Sequence, residues 1–173
     1  MKNREIERKW LVDEKDLPDL SKMPFIDITQ GYIDSTDSKL TFRLRQSLYM
    51  SNQKNLIGEE YTMTIKGEGL KDREERESII WKPQFTTFWP LCRNNIIHKH
   101  RYEYPLKDNK IVQIDIFKND LKDLLMLEIE FDTIEECDNY KPEKWFGKEV
   151  TEKEEWTNFY MAKNKNEKNK IRN

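Results

Sequence analysis

Arg4-Glu5-Ile6-Glu7-Arg8-Lys9-Trp10-Leu11-Val12 opens the patterned part of the chain, and its alternation decides the fold. In a β-strand, residues two apart point to the same side. One face of this stretch therefore carries Glu5, Glu7 and Lys9, and the other carries Ile6, Arg8 and Trp10. Two carboxylates and an ammonium side by side do not build an apolar core. They suit a divalent cation and a phosphate bound in one place. Taken alone, the strand reads more readily as a solvated face. The recurrence of the same arrangement downstream weighs against that reading.

Seven further stretches alternate in this way. They span Phe25–Ile33, Lys39–Leu48, Glu59–Lys66, Arg73–Trp81, Ile96–Tyr104, Lys110–Phe117 and Leu124–Phe131. Polar or glycine-bearing turns separate several of them, at 34–38, 50–56 and 67–69. The spacing predicts a short helix or turn over 13–22 and a helix over 83–94 that opens on Pro83 and breaks near Pro90. Two more helical segments are expected at 134–139 and 153–163, the second started by a capping box of Thr151 and Glu154. The Lys- and Asn-rich stretch 163–173 reads as a flexible polar tail after a single domain over 1–162.

With 173 residues, 37% of them charged and 36% hydrophobic, the chain has few apolar residues for a folded domain. Its 5 Trp, 7 Tyr and 8 Phe lie within patterned segments, so a fold with some charges turned inward is the better reading. A net charge of -2 argues against a nucleic-acid partner bound through a global basic field. Cys92 and Cys137 lack CxxC spacing and read as free thiols of a cytoplasmic protein, with a single disulfide as the alternative. No apolar run is long enough to cross a bilayer as a helix, and no signal peptide is expected.

The charged faces collect into two sets. Lys9, Arg43, Arg45, Lys66, Arg73, Lys99 and Arg101 are basic; Glu5, Glu7, Glu75, Glu77, Asp115, Glu128 and Glu130 are acidic. Two architectures satisfy this pattern. In one, the opposite, apolar faces form a sandwich core and the charges are wet. In the other, eight strands close into an antiparallel barrel with the charges lining its bore, and helices or a partner chain cover the outside. The sandwich does not explain why these positions are Arg, Lys and Glu and seldom Thr, Ser or Gln. Nor does it explain the sorting of acids and bases onto different strands. Burying so many charges requires that each be paired or meet a ligand.

Glu5-Ile6-Glu7-Arg8-Lys9 has the ExExK form of the CYTH domain, the triphosphate tunnel metalloenzymes. Phe42-Arg43-Leu44-Arg45, Thr64-Ile65-Lys66-Gly67, Arg73-x-Glu75-x-Glu77, Lys99-His100-Arg101-Tyr102, Asp115-Ile116-Phe117 and Leu127-Glu128-Ile129-Glu130-Phe131 follow in the family's order. Gly147-Lys148-Glu149-Val150-Thr151 with Asn158 is similar to the segment that closes the small bacterial members. The resemblance runs from residue 4 to about 162. It implies an α+β fold: an eight-stranded antiparallel tunnel with a charged interior and peripheral helices, holding a triphosphate with magnesium or manganese.

On that resemblance and on donor chemistry, Glu5, Glu7, Asp115, Glu128 and Glu130 are expected to bind metal, as hard oxygen ligands. Lys9, Arg43, Arg45, Lys66, Arg73, Lys99 and Arg101 are expected to grip phosphate oxygens, with Arg73 the weaker member. Lys9 would neutralise the transferred phosphoryl, a second metal or Glu75 and Glu77 would orient water, and Tyr32 would touch a phosphate near one mouth. Hydrolysis of inorganic tripolyphosphate or another small triphosphate is the reaction implied. The alternatives are a class IV-type adenylate cyclase and a non-catalytic polyphosphate- or nucleotide-binding module. No adenine pocket is identifiable, and the full acid set disfavours a passive binder. His98 and His100 form an HxH pair on the face opposite Lys99 and Arg101, with no third zinc ligand evident. Arg8 is expected to face outward as a structural residue. Apolar outer strand faces make a homodimer an expectation.

Overall fold

Period-two alternation with ions on one face leaves each strand a single apolar face to cover, and the chain meets that demand by closing the ionic faces around a lumen. The computed structural model describes residues 4–33 and 39–165. It contains β1 (Arg4–Leu11), β2 (Phe25–Ile33), β3 (Thr41–Met50), β4 (Leu56–Lys66), β5 (Asp72–Ile79), β6 (Ile96–Pro105), β7 (Ile111–Phe117) and β8 (Leu125–Glu130). These form a closed barrel in the order β1-β5-β4-β3-β2-β6-β7-β8, with every neighbouring pair antiparallel. The barrel, and not the sandwich, is the architecture.

Closure at β1 is shared. Among the described residues, β5 pairs with β1 only from Arg4↔Glu74 to Ile6↔Asp72. Beyond that point the segment 147–151 takes over the same edge. Leu11 N–H donates to the Lys148 carbonyl, Val150 N–H donates to the Lys9 carbonyl, and Lys9 N–H donates to Thr151 Oγ1. Gly147 permits this approach, since a Cβ there would stand 2.4 Å from the Leu11 carbonyl oxygen. Arg8 pins the segment from outside. Its guanidinium pairs with both Glu149 oxygens at 2.7 Å and donates to the carbonyls of Cys137 and Tyr140.

The outward apolar faces are covered by the connecting segments. Ile6, Trp10, Val112, Ile114, Leu127, Ile129 and Phe131 form one core with Cys137 of α2 (Ile134–Asn139), roofed by Tyr140, Trp145 and Phe146. Leu44 and Tyr61 pack under Phe85 of α1 (Lys82–Phe88) and under Cys92. Gly31 lets that cover sit close, because a Cβ there would meet Cys92 Cβ at 2.7 Å. At one end the lumen side itself turns apolar. Ile97, Phe117 and Met126 join Val150, Met161 and Ala162, the last two from α3 (Asn158–Asn164), as a floor.

Several local expectations shift. The helix expected over 83–94 is α1 followed by a tighter turn at Trp89–Cys92, with the break at Pro90. β5 stops at Ile79, leaving Trp81 to begin α1. Thr151 caps no helix: its hydroxyl is taken by Lys9 and Glu149. The cap of α3 is Thr157, which accepts from Tyr160 N–H. Lys163 and Asn164 belong to α3. The turn expected at 34–38 and most of the expected tail, 166–173, lie outside the described residues. Most outer apolar faces offered for a dimer are covered, while Leu56, Ile57, Ile79 and Trp81 stay 57–79% exposed. No helix among the described residues is long and apolar enough to cross a membrane.

Candidate active site

The strand order places acids and bases on opposite walls. β8 and β1 are neighbours and carry Glu128, Glu130, Glu5, Glu7 and Lys9; β3 and β2 lie across the bore and carry Arg43, Arg45 and Tyr32. A cavity of about 670 Å³ runs between them, lined also by Lys66, Arg73, Glu75, Glu77, Arg101 and Gln113. Twelve strand charges and Tyr32 named from the sequence thus meet in one space. Lys99 and Asp115 do not line it: both are 0% exposed, behind Arg101.

On the acid wall, register sets Glu7 opposite Glu130 and Lys9 opposite Glu128. The Lys9 ammonium lies 3.0 Å from Glu7 and 3.1 Å from Glu128. Burial opposes its charge, but Glu128 and Glu7 override it and raise its pKa, so Lys9 is a fixed cation. Glu128 has one oxygen, Oε1, buried without a hydrogen-bond partner despite that ion pair. Arg73 bridges Glu5 at 2.7 Å and Glu7 at 2.9 Å, while Lys66 stands between Glu5 and Glu75. Burial would raise the Glu5 carboxyl, but Lys66 and Arg73 hold it well below the carboxylate range. Burial raises Glu75, Lys66 opposes that, and the neighbouring Glu5 adds to it. Of the two acids sharing Lys66, Glu75 is therefore the one that takes a proton first.

The basic wall is less compensated. Arg43 donates to Thr64 at 2.9 Å and to Glu77 at 2.8 Å, yet its Nε is buried without a partner. Glu77 also accepts from Thr64 at 2.6 Å, so its carboxylate is occupied in holding Arg43. Among the described residues, Arg45 donates only to the amide oxygen of Gln30, at 3.3 Å. Burial with Arg43 and Arg101 nearby pushes its pKa down to about 10, which leaves it charged at neutral pH. Buried donors without acceptors are costly unless a ligand supplies the acceptors.

Behind Arg101 sits a closed ionic cluster. Arg101 grips both Asp115 oxygens, at 2.7 and 2.6 Å, and reaches Glu128; Lys99 pairs with Asp115. Burial, then Arg101, pulls the Lys99 pKa down to about 7 against the attraction of Asp115. The unfolded state, with an ordinary lysine value near 10.5, then binds more protons between pH 7 and pH 10.5. Unfolding free energy should therefore rise with pH across that window. Lys99→Met should flatten the rise relative to wild type, which denaturant titrations at pH 7 and pH 9.5 would reveal. An unchanged slope would show that Lys99 keeps an ordinary pKa.

Among the described residues, no three carboxylate, imidazole or thiol groups converge as they stand to hold a metal ion. The donors nevertheless fit a hard divalent cation. Glu7, Glu128 and Glu130 share one wall and all offer carboxylate oxygen, with Glu128 Oε1 held by an ion pair to Lys9 but by no hydrogen bond. Asp115 is the member of the expected metal set farthest from this description, since Lys99 and Arg101 occupy both its oxygens. His98 meets Thr29 and His100 stacks on Phe25, outside the lumen. Sequence reasoning missed Gln30 and Gln113, neutral residues on inward positions. It also missed Thr157, Phe159 and Lys163, which line one mouth beside Lys39 and Leu40. The i, i+2 spacing of Gln30 from Tyr32 was the available signal for the first.

A family model described as CYTH domain matches residues 3–160. A relative from Nitrosomonas europaea, an inorganic triphosphatase, is 34% identical over 158 residues, covering 91% of this chain and 96% of its own. A crystal structure of an inorganic triphosphatase is similar at 33% identity and a TM-score of 0.62, covering 91% of this chain and 93% of that one. A Pyrococcus horikoshii protein at 16% identity superposes with a TM-score of 0.54 over 78% of this chain and 82% of its own, a likeness of fold alone.

Proposed function

The chain belongs to the CYTH domain family, and on that premise we propose that it hydrolyses the terminal phosphoanhydride of inorganic tripolyphosphate or a similarly small triphosphate, with magnesium or manganese. The observation that carries this reading is the imbalance of the lumen. Among the described residues of one wall, Arg43 Nε and the Tyr32 hydroxyl proton have no acceptor and Arg45 has the Gln30 amide oxygen at 3.3 Å, while carboxylates gather on the other wall. A polyanion supplies acceptors to the first wall, and a cation bound to it supplies charge to the second.

In this reading Glu7, Glu128 and Glu130 hold the metal, with Glu5 and Asp115 contributing through the cations they orient. When bound, the metal supplies Lewis-acid polarisation of phosphoryl oxygens. Arg43, Arg45, Lys66, Arg73 and Arg101 fix the phosphate chain, and Lys99 supports Arg101 from behind through Asp115. Water attacks the terminal phosphorus; its oxygen forms the new P–O bond as the anhydride bond breaks, giving phosphate and pyrophosphate. Lys9 lies beside the carboxylates and stabilises charge on the transferred group. Glu75, whose carboxyl pKa burial raises, and Glu77 face the lumen and would orient that water.

We place the protein in the cytoplasm, supported by two buried, free cysteines. A second copy is proposed to cover Ile57, Ile79 and Trp81, testable by size-exclusion chromatography with light scattering. The function is tested by incubating the purified chain with tripolyphosphate, ATP, thiamine triphosphate and pyrophosphate in magnesium or manganese. Phosphate release should be fastest from tripolyphosphate and should stop on chelation. Cyclic AMP formation from ATP, or binding without turnover, would overturn the reading.

A further inference from the structure

Gln30, on β2, is 0% exposed in the lumen wall, and both ends of its amide are engaged. Its oxygen accepts from Arg45 Nε at 3.3 Å, and its nitrogen donates to the Tyr32 hydroxyl oxygen at 2.8 Å. Those contacts fix which end is which. A guanidinium only donates, so the atom facing it must be the amide oxygen, and the amide nitrogen is then committed to Tyr32. A phenol oxygen that accepts from Gln30 keeps its own proton for another partner. Among the described residues no acceptor takes that proton. Tyr32 stands directly opposite Arg43 across the β2–β3 ladder, and Arg45 is the next inward residue along β3. The uncommitted hydroxyl proton and two under-compensated guanidinium groups therefore belong to one side of the cavity. Burial raises the Tyr32 pKa against the pull of Arg43 and Arg45, so the hydroxyl stays a donor.

We propose that Gln30 is a positioning residue: it holds the Tyr32 hydroxyl so that its proton is given to a phosphate oxygen gripped by Arg43 and Arg45. This rests on the triphosphate reading above. A neutral amide is required for it. Glutamate at position 30 has no N–H to donate, and would itself accept the Tyr32 proton.

The test is a double-mutant cycle on Gln30→Glu and Tyr32→Phe, read by calorimetric binding of tripolyphosphate without metal and by kcat and KM with magnesium. Each single variant should bind roughly tenfold more weakly, the scale of one hydrogen bond to a charged group. Part of the Gln30→Glu loss should persist in the double variant, because a carboxylate at position 30 also pairs with Arg45. Gln30→Met, which removes the donor without adding a charge, should show a smaller loss that vanishes in the Tyr32→Phe background; this pair decides the matter. Losses that multiply in the Gln30→Met cycle, or wild-type affinity in Gln30→Glu, would overturn the proposal. A wild-type chain that binds tripolyphosphate without cleaving it removes the hydrolase reading and leaves the cycle to decide. A chain that does not bind it at all overturns both.

Discussion

Asp115→Ala should lower the unfolding free energy by about 3 kcal/mol, the low end of what removing one partner of a buried ion pair costs. Asp115 is fully buried, and its two oxygens serve Lys99 and Arg101. Truncation leaves those cations with unequal options. Lys99, already pulled down to about 7 by burial and by Arg101, can give up its proton and limit its share of the loss. Arg101 cannot, and among the described residues keeps only Glu128 and Gln113 as partners. Chemical denaturation with and without a chelator measures the effect. Equal destabilisation in both conditions is expected, because the cost arises from the protein's own charges. A variant as stable as wild type when metal is chelated, and weaker only when metal is present, would make Asp115 a metal ligand and remove it from the clamp.

The fold was legible because its unusual feature is a local one. Glu5-x-Glu7-x-Lys9 and Arg43-x-Arg45 each show within a single strand that the inward face is ionic, and parity then assigns Ile6, Leu44 and Ile129 to the outside, where they are found. Residues that depend on cross-strand neighbours were harder to read. Nothing within β7 says that Asp115 lies opposite Arg101, or that Lys99 closes on it from the same strand as Arg101, so the sequence alone does not separate a clamp for two cations from a metal ligand. Gln30 carries no charge and so left no mark in a pattern read from charges. The closure of β1 by residues 147–151 was similarly hidden. It depends on backbone groups, on the small size of Gly147, and on Thr151, whose hydroxyl was read as a helix cap and is spent on Lys9 and Glu149.

Glu7→Gln should reduce metal-dependent phosphate release from tripolyphosphate by on the order of 10²–10³-fold, as expected when a group stabilising transition-state charge is lost, and should leave the barrel intact. The contrast with Asp115 lies in redundancy. Glu7 is shared by Lys9 and Arg73, and each has a second carboxylate: Lys9 has Glu128 at 3.1 Å, and Arg73 has Glu5 at 2.7 Å. The amide oxygen of glutamine can still accept from both, so no buried cation is stranded and the stability cost should stay near 1–2 kcal/mol. What the substitution removes is an anionic oxygen facing Glu130 across the β1–β8 ladder. A divalent cation bound by few carboxylates loses much of its affinity when one becomes neutral. Two measurements separate these effects. Without metal, the variant should melt close to wild type. On adding magnesium or manganese, wild type should gain stability by ligand linkage and the variant should gain little. A variant that retains turnover with wild-type metal dependence would strike Glu7 from the metal site and shift that role to Glu128 and Glu130.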